Sequence, residues 1–118
     1  MEHNRFEAFR RMALSFPGVV EAVSYGTPSF KLKDKQLARF HEDGVSLVLK
    51  MDMETRDFVL QAEPVVYSMP DHYKKYPYVL VKLAEADMDE LKGHFLRSWR
   101  ANAPKKLLRE HEGTLERE

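Results

Sequence analysis

The stretch FKLKDKQLARFHEDGVSLVLK, from Phe30 to Lys50, decides the fold class. Its apolar residues recur at every second position, and Asp43-Gly44, a pair that tolerates positive φ, predicts a two-residue type I′ turn between antiparallel strands. That turn sets Glu42 opposite Val45, Phe40 opposite Leu47 and Ala38 opposite Leu49 on one face. His41 then faces Ser46, and Arg39 faces Val48, on the other. The first face is the more apolar and is the expected core. The hairpin before it turns near Lys33 to Lys35 and has two readings. A two-residue loop puts Lys31 on the core face and Phe30 beside Arg39, whereas an odd loop buries Phe30 and exposes Lys31. Either way one face carries cations.

Working outward, period two extends from about Ala22 to Met51. Upstream, Phe6, Phe9, Met12, Ala13 and Phe16 recur at helical steps, which predicts a helix over Asn4 to Phe16, capped by Asn4 with Glu7 and stopped by Pro17-Gly18. Downstream, Asp52 caps a short helix to Ala62 with Phe58 and Val59 turned inward, and a tyrosine-rich connection follows. Val79, Val81 and Leu83 alternate as a strand. Asp87 with Glu90 opens a helix to about Asn102, where Pro104 ends it. Met88, Leu91, Phe95 and Trp99 form its apolar stripe, with Glu90, His94, Arg97 and Arg100 on the other side. The reading is one α+β domain over residues 1–110, with 111–118 as a frayed tail.

The chain has 118 residues, 43% hydrophobic and 32% charged, enough to bury roughly 65% of its unfolded surface without staples. Nineteen basic side chains balance nineteen acidic ones, so no global field draws the molecule to nucleic acid or an anionic membrane, and such a partner needs a local patch. The absence of cysteine excludes disulfides, thiolate metal sites and cysteine nucleophiles. The longest strongly apolar runs are only a few residues, as in YVLV from Tyr78 to Val81, far below the roughly 20 residues of a membrane span. MEHNRFEAFRRM lacks the apolar stretch of a secretory signal, so the expectation is a cytoplasmic monomer.

No two of the five histidines stand at the helical spacing that places both on one metal, and Glu90 with His94 reads as a surface pair. There is no GxSxG elbow, GxGxxG turn or phosphate loop, so no catalytic residue, metal or cofactor is expected. More informative is VVYSMPDHYKKYPYVLVKL, Val65 to Leu83, where Tyr67, Tyr73, Tyr76 and Tyr78 interleave with His72, Lys74 and Lys75. Rings among cations suit stacked bases and tracked phosphates, but they also serve to pack a loop onto a sheet. Arg97, Arg100, Lys105, Lys106 and Arg109 form a second basic group, of which the first two already complement a helix C-terminus.

The segments FPGVVEAVSYGTPSFK (Phe16 to Lys31), ARFHEDGVSLVLKMD (Ala38 to Asp52), HYKKYPYVLVKL (His72 to Leu83) and SWRANAPKKL (Ser98 to Leu107) together resemble, in order, the MmcQ/YjbR family. The resemblance implies a frataxin-like (CyaY-like) α+β fold, with a twisted antiparallel sheet and helices mainly on one face. It also implies a DNA-binding, double-wing role without catalytic residues. An iron role is not carried over, because the first helix holds only Glu2 and Glu7 with three arginines.

The functional expectation is therefore a non-enzymatic DNA-binding protein. Lys31, Arg39 and Lys50 would act on the sheet, Tyr73, Lys74, Lys75 and Tyr76 on the loop, and Arg100, Lys105 and Lys106 on the C-terminal segment. The rival is a domain for a small anionic ligand or a protein partner, with a pocket between the sheet, the tyrosine loop and Trp99.

Overall fold

A computed structural model describes residues 2–117, with side chains placed for 5–111. The helices are α1 (Glu2–Leu14), α2 (Met53–Ala62), α3 (Met88–Asn102) and α4 (Lys105–Arg117). The strands are β1 (Val19–Ser24), β2 (Thr27–Leu32), β3 (Lys35–Phe40), β4 (Ser46–Lys50), β5 (Tyr67–Ser68) and β6 (Tyr78–Lys82). All six form one antiparallel sheet in the order β1-β2-β3-β4-β6-β5. The expected α+β class and single open sheet are what the chain adopts.

Alternation decides which face is covered. Phe30, Ala38, Leu47, Leu49, Val79 and Val81 point to one face and are buried with Phe9 and Ala13 of α1 and Leu91, Phe95 and Trp99 of α3. The Phe9 ring meets Phe30 and Phe95 edge-on at 5.7 and 5.8 Å, the arrangement the ring quadrupoles favour. Helix α4 joins this layer, since His111 lies 4.9 Å from Trp99 and 6.2 Å from Phe16, ring to ring. Among the described residues no α-helix covers the opposite face of the sheet, where only the single 3-10 turn Asp71–Tyr73 adjoins it.

The β2-β3 hairpin resolves its two readings in an unforeseen way. The loop has two residues, Lys33-Asp34, with Leu32 paired to Lys35 and Lys31 to Gln36, but further along Phe30 pairs with Ala38. Leu37 is thus an extra residue, a β-bulge, and it restores the parity an odd loop would have given. Phe30, Leu32, Leu37 and Ala38 are all buried, and Lys31 goes to the open face.

At Asp43-Gly44 the predicted register holds, with Ala38 opposite Leu49 and Phe40 opposite Leu47, but the turn is longer than two residues. The Gly44 amide donates to the His41 carbonyl, and the Asp43 carboxylate accepts from the amides of Val45 and Ser46. Glu42 therefore does not pair with Val45; it leaves the ladder and turns to Arg39. A two-residue turn with positive φ at both positions lies instead at Tyr25-Gly26, where φ is +54° and +78° and Ser24 pairs with Thr27.

Other boundaries shift too. Helix α1 starts at Glu2, ahead of Asn4, whose side chain lies outside the described residues. In α2 Asp52 is the cap, as expected, and Val59 is buried, but Phe58 is exposed and Arg56 is buried in its place. Pro104 ends α3 and at once opens α4, its carbonyl accepting from the Leu108 amide. The helix continues to Arg117 where the sequence predicts a tail; side chains from 112 onward and residue 118 lie outside the described residues. No helix among the described residues is long and apolar enough to cross a membrane.

Candidate functional site

On the face that no α-helix covers, a cleft of about 690 Å³ opens between the Tyr25-Gly26 turn and the loop that runs into β6. Its floor is Lys31, Gln36, Arg39 and Val48, which the bulge and the β3-β4 register turn to the same side. Its walls are Tyr25 on one flank and His72, Tyr73, Tyr76 and Tyr78 on the other. Tyr25 and Tyr76 are exposed, whereas the Tyr78 hydroxyl is tied to the Gln36 carbonyl at 3.1 Å, and the His72 and Tyr73 rings lie 4.3 Å apart.

Arg56 shapes the tyrosine loop from beneath. The loop contains Pro70 and Pro77 and bends so that several carbonyls face inward, where they need donors. The buried Arg56 guanidinium supplies them, donating to Tyr73 O (3.1 Å), Lys74 O (3.1 Å), Tyr76 O (2.6 Å) and Tyr78 O (3.4 Å). The sequence offered no sign of this, because a charged residue on a short helix ordinarily faces water.

Arg39 sits at the centre of the floor and is almost fully buried. Nη1 donates to Glu42 Oε1 at 2.6 Å, Nη2 donates to the Tyr73 hydroxyl at 3.2 Å, and the guanidinium carbon lies 4.8 Å from the Tyr25 ring centroid. Burial alone would weaken its charge, but the hydrogen bonds from Arg39 to Glu42 and Tyr73 outweigh that and keep the guanidinium firmly protonated. The same contact with Arg39 holds the Glu42 carboxyl below its ordinary range. Arg39 is thus an organising cation joining both flanks, largely neutralised by Glu42. Glu42 is the one acidic residue on the cleft wall, so Lys31 is the cleft cation without a carboxylate partner among the described contacts.

Of the residues singled out from sequence, Lys31, Arg39, Tyr73 and Tyr76 meet in this cleft. Lys50 stands at its border, its ammonium 5.3 Å from the Tyr78 ring centroid. Lys74 and Lys75 are exposed at the loop bend between two cleft tyrosines without lining the wall. Arg100, Lys105 and Lys106 are exposed on α3 and α4, in the helical layer, and the expected union of three basic groups does not form there. Trp99 is wholly buried in that layer, its indole donating to the Pro17 carbonyl at 2.9 Å, and forms no part of the cleft. Tyr67 is core as well, with its hydroxyl 3.3 Å from Glu90. The sequence reading passed over Tyr25, for which the Tyr-Gly pair between two alternating runs was the available signal.

Glu90 and His94 are not the surface pair they resembled. His94 is buried, its Nδ1 2.5 Å from the Arg97 guanidinium and its Nε2 3.6 Å from Glu90 Oε1. Burial, then Arg97, push its pKa down, so the ring is held neutral. No group of three potential metal-ligating side chains occurs among the described residues.

The family model described as YjbR matches residues 14–101. The chain is 34% identical over 70 residues to the uncharacterized proteins Rv2570 of Mycobacterium tuberculosis and Mb2600 of Mycobacterium bovis, covering 59% of this chain and 46% of each relative. It therefore spans about half the length of the curated relatives it matches. Among solved structures, Deinococcus radiodurans protein DR2400, described as a DUF419 domain, superposes with a TM-score of 0.70 at 21% identity, over 89% of this chain and 86% of that one. That likeness is one of fold.

Proposed function

The chain belongs to the YjbR family, and on that footing we propose that it is a non-enzymatic module whose sheet face free of α-helix binds a single strand of DNA. The observation that carries this reading is the convergence of exposed Tyr25 and Tyr76 with Lys31 in one cleft, with Lys50 at its border and Lys74 and Lys75 exposed on the adjoining loop. Exposed rings offer π-faces to unstacked bases of any sequence, each stacking contact contributing about 1–3 kcal/mol, while the lysines meet phosphates. With Arg39 engaged by Glu42 and the C-terminal cations elsewhere, few phosphates are neutralised, so the salt dependence is shallow.

One observation favours a second reading. The cleft is bounded on both sides and its C-terminal cationic neighbours lie in the other layer, which suits a small anionic ligand bearing a ring. Fluorescence anisotropy with labelled single-stranded and duplex oligonucleotides at low salt, beside a mononucleotide titration, separates the two. Single-strand binding that weakens on Lys31→Gln and Tyr76→Ala supports the first reading; binding of the mononucleotide with no gain from a longer strand supports the second. No binding of any of them below about 100 µM overturns both.

A further inference from the structure

One edge of the sheet is open to extension. At one end β5 has two residues, whereas at the other β1 has six, VVEAVS, in unbroken register with β2 and with no strand on its outer side among the described residues. It lacks the devices that blunt an edge, since it holds no proline, lysine or bulge, and Val20 and Val23 are 57% and 75% exposed. Val23 shares a side with the core residue Val19, so its exposure shows that the helical layer stops short of this end of β1.

Hydrogen-bond direction in the β1-β2 hairpin identifies the free groups. Ser24 and Thr27 flank its two-residue turn as a hydrogen-bonded pair, so Ser24, Ala22 and Val20 turn their amides and carbonyls to β2. Val19, Glu21 and Val23 turn theirs outward. The Val19 amide is spent on the Phe16 carbonyl at 3.2 Å, which leaves the N–H and C=O of Glu21 and Val23.

A second copy of the strand fits these groups. Two identical antiparallel strands must centre a residue on their twofold axis, because outward-bonding residues have to meet one another. With Glu21 on the axis, two carboxylates oppose each other and Val23 meets the spent Val19 amide. With Val23 on the axis, Glu21 meets Tyr25, which the turn holds at φ +54°. With Ala22 on the axis, Glu21 of each copy pairs with Val23 of the other, and every free group is bonded. We propose that the chain forms, in place of the expected monomer, a twofold dimer by antiparallel pairing of β1 about Ala22. That axis stands perpendicular to the sheet, so both clefts open on the same side of one continuous sheet. A short strand pair buries less than the roughly 1,000 Å² of a stable interface, so the dimer is weak, with a Kd of about 0.1–1 mM.

The test is sedimentation velocity of the full chain from about 10 µM to about 1 mM, over which the average mass should rise toward that of a dimer. Val23→Glu, which sets a carboxylate opposite each Glu21, should weaken the dimer about tenfold. Val23→Lys should leave it as tight or up to about threefold tighter, and both variants should keep the Tm of the dilute chain. The sequence holds no cysteine, so single-cysteine variants read the register cleanly. On mild oxidation Ala22→Cys should form an intermolecular disulfide, its Cα atoms lying about 4.5 Å apart across the axis. The exposed Val20→Cys should stay reduced, because its two copies lie about 14 Å apart along the strands. A chain that remains monomeric at about 1 mM leaves the edge to a strand of another protein and overturns the proposal, whatever the cleft binds. Equal crosslinking of the two cysteine variants, or equal weakening by both charges at position 23, overturns it too.

Discussion

The Arg56 guanidinium, reaching out of α2, lies 2.6 Å from the carbonyl oxygen of Tyr76, twenty residues away in the loop that walls the sheet-face cleft. One buried cation thereby ties the path of four loop carbonyls to a helix cap at Asp52, so cleft shape and α2 stability depend on each other.

Removing that tie should cost more than a typical surface change. Arg56→Met leaves the loop carbonyls without donors, and the expected loss is about 2–4 kcal/mol in urea unfolding, with single-strand affinity falling in parallel. Arg56→Lys, which retains charge but not the fork of donors, should recover less than half of either.

Glu42 restrains the cleft electrostatically. Glu42→Gln removes the carboxylate 2.6 Å from Arg39 and frees its positive charge, so single-stranded DNA should bind about three- to tenfold more tightly at low salt, the gain fading as salt rises. Anisotropy at two salt concentrations reads this directly.

Lys33 holds φ at +59° in the two-residue β2-β3 turn, a conformation that a side chain disfavours by about 1–2 kcal/mol. Lys33→Gly should therefore stabilise the fold by about 0.5–1 kcal/mol after glycine's greater unfolded-state entropy is subtracted, a gain of a few degrees in Tm.

Acid should act in two stages of known sign. His94 has its pKa lowered by burial and by Arg97, so the unfolded chain takes up a proton near pH 6.5 that the folded one refuses; stability present above that pH declines as the pH falls below it. For Asp43, burial opposes ionisation, but the hydrogen bonds from Val45 and Ser46 outweigh it and hold the carboxyl low. Its contribution is present above about pH 4 and is lost below. In His94→Asn the first decline should vanish from pH-dependent urea midpoints while the second persists.

How much of this was legible in the residues follows from range. The helix caps Asp52 and Asp87 and the pairing of Ala38 with Leu49 rest on short spacings, and each was readable. The bulge at Leu37 was not, because parity depends on packing Phe30 and Leu32 together against α1 and α3, which no local signal encodes. Lys31, Arg39, Tyr73 and Tyr76 were found by type, whereas Arg56 escaped because its partners are carbonyls that exist as a cluster only once the loop has bent. Arg100, Lys105 and Lys106 were grouped by sequence adjacency, which says nothing of the layer they join.

The extra residue in β3 also decides what the two faces are made of. Without it, the same chain could close through a three-residue loop of unchanged total length, with Leu32 across from Gln36 and Lys31 across from Leu37. That alternative would trap an amide in the hydrocarbon interior and strand a leucine in the water-facing trough, while leaving Phe30 and everything beyond it undisturbed. A single slipped residue thus separates a polar floor from a greasy one, and the insolubility of a buried glutamine keeps the hairpin from sampling the wrong choice.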